Sequence, residues 1–247
     1  MLCERSAMPS TVWGPEIADI YDSADGVFDP TVVGATVDVL VDLARGGPAL
    51  EFAAGTGRIA LPLAARGLPV AGIELSPHMA EKLQAKPGAD SVRLTIGDMT
   101  TARVEGTFTL VYLLFNTIMN VTTQDEQVST FENAARHLER GGLFLVEVLP
   151  PSTCSSTSPQ VFAMDENHIG IDTLDDPVGQ ISSSHHWWTV EGRLVHSVGT
   201  FRYVYPSELD LMARIAGLRA KTRWGDWDGS PYTATSTNLI AVYEKAS

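Results

Sequence analysis

Glu51, Gly55, Gly57, Glu74 and Asp98 are the residues whose types and spacing could do chemistry, because each falls where an apolar run gives way to a turn. Small-molecule ligands are commonly held at such junctions. In Ala49-Leu-Glu-Phe-Ala-Ala-Gly-Thr-Gly-Arg-Ile-Ala60, a buried-strand pattern breaks into a glycine turn, and a helix pattern follows through Leu61, Leu63 and Ala64. Glycines permit positive φ and close backbone approach, while a helix start offers unpaired N–H groups. Gly-x-Gly-x-x-Ala fits the dinucleotide fingerprint, with Glu74 at the end of Pro69-Val-Ala-Gly-Ile-Glu74 able to hold a ribose.

The neighbours of the turn favour a different ligand. Glu51, four residues before Gly55, can accept a hydrogen bond from an ammonium but would repel a pyrophosphate. The run Ser91-Val-Arg-Leu-Thr-Ile-Gly-Asp98-Met99 ends in a carboxylate able to accept from an adenine amine and a large side chain able to pack on its ring. Ammonium, ribose and adenine together describe S-adenosylmethionine. No tyrosine has a lysine four residues on, which removes the pair a short-chain dehydrogenase needs.

On these motifs the sequence resembles the class I S-adenosylmethionine-dependent methyltransferases, from the start of the chain to about residue 150 and again in the C-terminal segment. The resemblance implies that Glu51, Ala53, Gly55 and Gly57 hold the methionine part, Ala53 standing where the family usually has its first glycine. It implies that Glu74 binds the ribose, that Leu75 and Met79 flank the adenine, and that Asp98 and Met99 grip its edge. The segment Phe108 to Asn116, with Leu114, would end beside the reactive methyl. S-adenosyl-L-methionine is then the cofactor and S-adenosyl-L-homocysteine the product.

The elements needed to position these residues follow from periodicity. Pro15 to Tyr21, Thr31 to Arg45, Pro77 to Ala85 and Gln124 to Arg140 read as helices, the second stopped by Gly46-Gly47 and the last by Gly141-Gly142. Leu143 to Val148 is a fifth strand, Arg219 to Trp224 and Asn238 to Glu244 the sixth and seventh. The expected fold is α/β: a Rossmann-like, seven-stranded, mostly parallel sheet with helices on both faces. In the family resemblance the seventh strand is antiparallel.

One insertion interrupts the alternation. Residues 150–205 have a breaker-rich start, Pro150 to Pro159, then Gln180 to Val190, a Glu191-Gly192 turn and Arg193 to Tyr205, an antiparallel hairpin pattern. Ser207-Glu-Leu-Asp210 reads as a capping box opening a helix that runs to Ala216. The whole chain, 1–247, is expected to be a single methyltransferase domain, with residues 1–30 as a lid and 150–205 as an auxiliary insertion. Such a hairpin sheet also occurs in the aminosugar N,N-dimethyltransferases and lincosamide-type relatives. That resemblance extends to Trp13, Tyr21, Phe115 to Asn120 and Tyr205 to Leu209, and it implies a small-molecule natural-product methyltransferase, as in antibiotic biosynthesis, without fixing the acceptor.

Composition restricts partners. Lys+Arg 17 against Asp+Glu 30 leaves a net charge of −13, a surface that repels phosphate backbones, so no nucleic-acid partner is expected. Cys3 and Cys154 form no CxxC pair, no metal is expected, and no apolar run of roughly 18 residues offers a membrane span. With no apolar leader pattern at Met1 to Ala7, a cytoplasmic location is expected. The aromatic hairpin needs covering, so a homo-oligomer, most simply a two-fold dimer, is expected, with the hairpin either at the contact or roofing the acceptor site.

Methyl transfer from a sulfonium is an in-line displacement, so orientation and exclusion of water dominate. Asn116, Thr117, Met119 and Asn120 can orient an acceptor but cannot take its proton, which tilts the expectation toward an amine and leaves an O-acceptor, or cofactor binding without turnover, as alternatives. Tyr21, Asn116 and Met119 are the expected catalytic residues, Tyr21 also touching the cofactor. His185 and His186, like Trp187 and Trp188, should point to opposite faces of their strand, so at most one histidine enters the pocket. Arg58 can pair with Asp22 or Glu51 or cap the turn. Trp224, Trp227 and Tyr232 surround a loop that either walls the site or is an edge turn stapled by aromatics.

Overall fold

The computed structural model describes residues 18, 21–22, 29–154, 157–190 and 192–246. Most of the expected lid, including Trp13, and Cys3 lie outside the described residues. Within it, Ala18 and Tyr21 are helical.

α1 (Pro30–Ala44) begins at Asp29, whose carboxylate accepts from the Thr31 N–H at 2.8 Å, and stops at Arg45 in a left-handed conformation before Gly46. The next elements alternate: β1 (Ala49–Phe52), α2 (Ala60–Ala65), β2 (Val70–Glu74), α3 (Pro77–Gln84), β3 (Val92–Ile96), β4 (Phe108–Leu113), α4 (Gln124–His137) and β5 (Leu138–Val148). β1 and β2 are buried along their full length, the consequence of covering a parallel sheet on both faces. A second sheet, β6 (Gln160–Met164), β7 (His168–Asp176), β8 (Ile181–Val190) and β9 (Arg193–Arg202), precedes α5 (Pro206–Ile215), β10 (Leu218–Trp224) and β11 (Leu239–Lys245).

The large sheet has the order β10-β11-β5-β4-β1-β2-β3, with β11 antiparallel to both its neighbours and the other pairs parallel. The chain winds outward in one direction from β1 and in the other from β4. A crevice therefore opens beyond the carboxyl ends of β1 and β4, the switch point where doubly wound sheets bind ligands. Two cores flank the sheet, one around Phe52, Phe131, Phe144 and Tyr243, the other around Leu40, Leu63, Leu110 and Tyr112.

Three expectations are corrected. The helix from Gln124 ends at His137, not Arg140, because Leu138 already pairs with Phe108, and Gly141, at φ 76°, serves a bulge before Leu143 pairs with Leu110. The helix at residue 206 is not capped by Ser207. Pro206 fits its first turn, Tyr205 is the N-cap, and the Glu208 carboxylate accepts from the Tyr205 N–H at 2.9 Å. The expected hairpin is the β8–β9 half of a wider sheet, to which β7 and then β6 add antiparallel.

Buried Arg202, at the end of β9, fastens this second sheet to the rest. Its guanidinium donates to Gln127 Oε1 (2.5 Å), Gln180 Oε1 (2.9 Å) and Glu208 Oε1 (2.9 Å). Gln127 in turn donates to the carbonyls of Ile118, Val121 and Arg202. The sheet is thereby tied to α4, α5 and the turn Thr117–Asn120 that follows β4.

Candidate functional site

A cavity of about 540 Å³ occupies the crevice, and its far wall is the inner face of the second sheet. Such a volume suits a small-molecule ligand, for which roughly 300–1,000 Å³ is usual. Ala53, Gly55, Glu74, Leu75, Met79, Asp98 and Met99 line one end, Asn116, Met119 and Glu126 the middle, and Phe162, Asp172, Ser184, His186 and Phe201 the other end. A side chamber of about 40 Å³ adjoins it, lined by Glu51, Arg58 and Leu114, with Tyr21, Ala53, Gly55, Phe115 and Thr117 shared between the two. Ten of the eleven residues expected to touch the cofactor are thus at one site. Gly57 is not. It sits behind the turn at φ 85°, where a Cβ would press on Leu61 and Leu83, so it serves helix packing.

Glu74 organises the glycine turn: its carboxylate accepts from the Gly55 N–H and the Ser76 N–H, both at 2.7 Å. Burial raises its pKa above the ordinary carboxylate value, and the backbone donors pull it back. Asp98 is oriented by the Thr100 N–H, which donates to Oδ1 at 2.8 Å. Ala53 holds φ at 54°, a left-handed backbone that explains why glycine is the more usual residue there.

Glu51 is buried and accepts from the Tyr112 hydroxyl at 3.3 Å. Desolvation pushes its pKa up to about 8, against the pull of the Arg58 charge. A buried acid facing a small chamber beside an arginine has the chemistry to take an ammonium at Glu51 and a carboxylate at Arg58. The Arg58 guanidinium lies over the Phe115 ring, 4.6 Å from its centroid. Asp22 accepts from Thr56 Oγ1 at 2.6 Å and pairs with Lys86 at 2.5 Å. Half-buried Tyr21 lies near Arg58 and Glu51, and desolvation raises the pKa of its phenol.

The turn after β4 is strained. Phe115 and Asn116 both adopt left-handed conformations, φ 55° and 62°, and are held by residues at the end of β5 and just past it: the Phe115 N–H donates to Glu147 Oε2 at 2.8 Å, and the Leu149 N–H donates to Asn116 Oδ1 at 2.6 Å. Asn116 therefore pins the turn as well as lining the cavity.

On β8 the expected alternation places His186 and Trp188 on the cavity side, with His185 and Trp187 outside. Gly170 and Gly199 leave room for the Phe162 and Phe201 rings to lie over the inner face, since a Cβ on either would overlap its ring. Trp227 donates from Nε1 to Glu147 Oε1 at 3.0 Å, and neither Trp224 nor Trp227 lines the cavity, which makes the loop after β10 an aromatic staple. No group of three or more His, Cys, Asp or Glu among the described residues could hold a metal, and none of the described helices is long and apolar enough to cross a membrane.

Sequence reasoning missed Glu147, Asp172, Ser184 and Phe162. The last three lie on strands whose period-two pattern, once recognised, would have put Asp172 and Ser184 on the face of His186.

A family model described as a methyltransferase domain matches residues 49–142. The cypemycin N-terminal methyltransferase of Streptomyces sp. is 26% identical over 95% of this chain and 98% of its own length. The dTDP-4-amino-2,3,4,6-tetradeoxy-D-glucose N,N-dimethyltransferase of Saccharopolyspora spinosa is 32% identical over 57% of each chain. Among solved structures, the CcbJ methyltransferase from Streptomyces caelestis superimposes with a TM-score of 0.87 at 32% identity, covering 97% of this chain and all of that one.

Proposed function

The chain belongs to the S-adenosylmethionine-dependent methyltransferases, and from that premise we propose that it methylates the nitrogen of a small basic amine, a natural-product intermediate. One observation carries the choice of acceptor. Beyond Glu74 and Asp98, which face the cofactor, the larger cavity presents Glu126 and Asp172 and has no lysine or arginine among its lining residues. Two unit charges about 4 Å apart interact by roughly 4 kcal/mol at a protein surface, enough to decide between a cationic amine and an anionic acceptor. One relative is named for N,N-dimethylation of an amino sugar and another for methylation at an N-terminus, which supports the same reading.

In this reading Glu51, Tyr21 and Arg58 take the amino-acid end of the cofactor, Glu74 the ribose, and Asp98 with Leu75, Met79 and Met99 the adenine. When bound, the cofactor supplies an electrophilic methyl group on a sulfonium. Asn116, Met119 and the inner face of the second sheet orient the acceptor and exclude water. The exposed outer face of that sheet belongs to the reading too, as the contact in a homo-oligomer.

Calorimetry tests the cofactor half. S-adenosylhomocysteine should bind and NAD should not, and Glu74→Ala should lose about 2 kcal/mol or more of that affinity, a loss that includes the loosened Gly55 turn. Transfer of labelled methyl to a panel of amines, alcohols and carboxylic acids on one carbon skeleton tests the acceptor half. Turnover confined to the alcohols would replace the amine reading with O-methylation.

A further inference from the structure

We propose that His186, backed by His168, removes the proton that the acceptor nitrogen must lose and passes it out of the cavity. This rests on the amine reading above. An amine of ordinary basicity, pKa about 10, is free in roughly one molecule per thousand at neutral pH, so a place for the proton is a requirement of the reaction. The residues after β4 supply none.

The inner face of the second sheet does. His186 lines the cavity, and its Nδ1 lies 2.9 Å from Nε2 of His168, the two ring planes parallel within 4° and their centroids 5.1 Å apart, as an in-plane contact requires. Trp188 stacks on both rings, at 4.7 and 5.0 Å, and Phe162 meets the His186 ring edge-on at 5.2 Å, so neither imidazole can swing away. The other nitrogen, Nε2 of His186, faces Ser184 Oγ at 3.4 Å, beyond good hydrogen-bond length, while that hydroxyl donates to Asp172 Oδ1 at 2.6 Å. With the Ser184 proton on Asp172, the serine gives none to His186, and Nε2 is left to accept from the acceptor.

A short contact between two neutral imidazoles needs one N–H and one lone pair. If His186 Nδ1 donates to His168 Nε2, His186 Nε2 carries a lone pair toward the cavity. The acceptor ammonium gives its proton to Nε2, the Nδ1 proton moves to His168 Nε2, and His168 releases its own Nδ1 proton to solvent. The freed nitrogen lone pair forms the new bond to the methyl carbon as the carbon–sulfur bond breaks with its electrons to sulfur.

Burial, with the neighbouring imidazoles of His168 and His185, pushes the pKa of His186 down to about 4, so the ring rests uncharged at neutral pH. The other titratable groups around the pair are Asp172 on β7 and Asp165 in the exposed turn before it, whose Oδ1 accepts from the His168 N–H at 2.8 Å.

Long-range proton–nitrogen NMR of the full chain loaded with S-adenosylhomocysteine tests the tautomer, with assignment from His186→Gln and His168→Gln. At neutral pH His186 should be uncharged with its proton on Nδ1; a proton on Nε2, or a charged ring, overturns the proposal whether or not any amine is turned over. The second readout is methyl transfer to pyrrolidine, cyclohexylamine and their N-methyl derivatives. His186→Gln should lower kcat on the order of 100-fold at neutral pH with KM for S-adenosylmethionine unchanged, and the deficit should shrink as pH approaches the pKa of the amine. A deficit constant across pH marks a structural role, and a variant equal to the native enzyme overturns the proposal while leaving the amine reading intact. Turnover of alcohols alone overturns both.

Discussion

Glu147 holds Phe115 in a left-handed turn: one carboxylate oxygen accepts from the Phe115 N–H at 2.8 Å, while the other accepts from the Trp227 indole at 3.0 Å and the Asn238 amide at 2.9 Å. The wall of the small chamber beside Glu51 thus depends on a residue that does not line it.

Glu147→Ala should therefore cost about 2 kcal/mol in denaturant unfolding and also weaken S-adenosylhomocysteine binding by calorimetry, because Phe115 is free to relax. Asn238→Ala removes one partner of the other oxygen and should leave that affinity unchanged. Equal effects of the two on affinity would show that the carboxylate acts only on stability.

Glu51 makes stability and binding pH-dependent with opposite signs. Its folded pKa, about 8, lies above the ordinary 4.5, so its burial is free of penalty below 4.5 and costs progressively more as pH rises to about 8, on the order of a few kcal/mol. Glu51→Gln should flatten this decline in thermal unfolding scans. A bound ammonium reverses the preference, so S-adenosylhomocysteine should bind more tightly as pH rises toward 8 and should release a proton near neutrality. Calorimetry in buffers of different ionisation enthalpy reads that proton, and Glu51→Gln should abolish it.

Ala53→Gly relieves a left-handed φ worth roughly 1–2 kcal/mol and adds unfolded-chain entropy worth roughly 0.4–1 kcal/mol. A net stabilisation of about 0.5 kcal/mol is expected by chemical denaturation, with cofactor affinity preserved. A destabilised variant would mean that the Ala53 methyl is needed for packing.

The outer face of the second sheet exposes Val161, Met164, Ile169, Leu194 and Val198 beside the stacked rings of His185, Trp187 and His196. Light scattering should give an oligomer, and Leu194→Asp with Val198→Asp should give monomers that still bind S-adenosylhomocysteine. A monomeric native protein would remove this role.

The end of the crevice lined by Glu74 and Asp98 was legible because β1 and β2, buried throughout, read as short apolar runs carrying Glu51 and Glu74, while Asp98 stands out as a carboxylate in the turn after β3. The end under the second sheet was not. β6 is largely exposed, so Gln160–Met164 carries no burial pattern, and the use of Gly170 and Gly199 appears only once Phe162 and Phe201 lie over them. Glu147 gave no signal because its partners are 32 to 91 residues away. The helix end at His137 was misplaced for a related reason: pairing with Phe108, a tertiary event, overrode the local glycine stop.

The Arg202 cluster sets the unit in which acceptor preference can be re-engineered. Its three acceptors lie on α4, before β8 and on α5, so an antiparallel sheet transplanted from a homologue carries its lining side chains but not Gln127 or Glu208. Such a chimera would bury a guanidinium against partners chosen for another chain, and the misfit would be felt at Ile118 and Val121, whose carbonyls Gln127 holds. Transplants that move Arg202, Gln127, Gln180 and Glu208 together are the ones in which a new wall meets an undistorted floor.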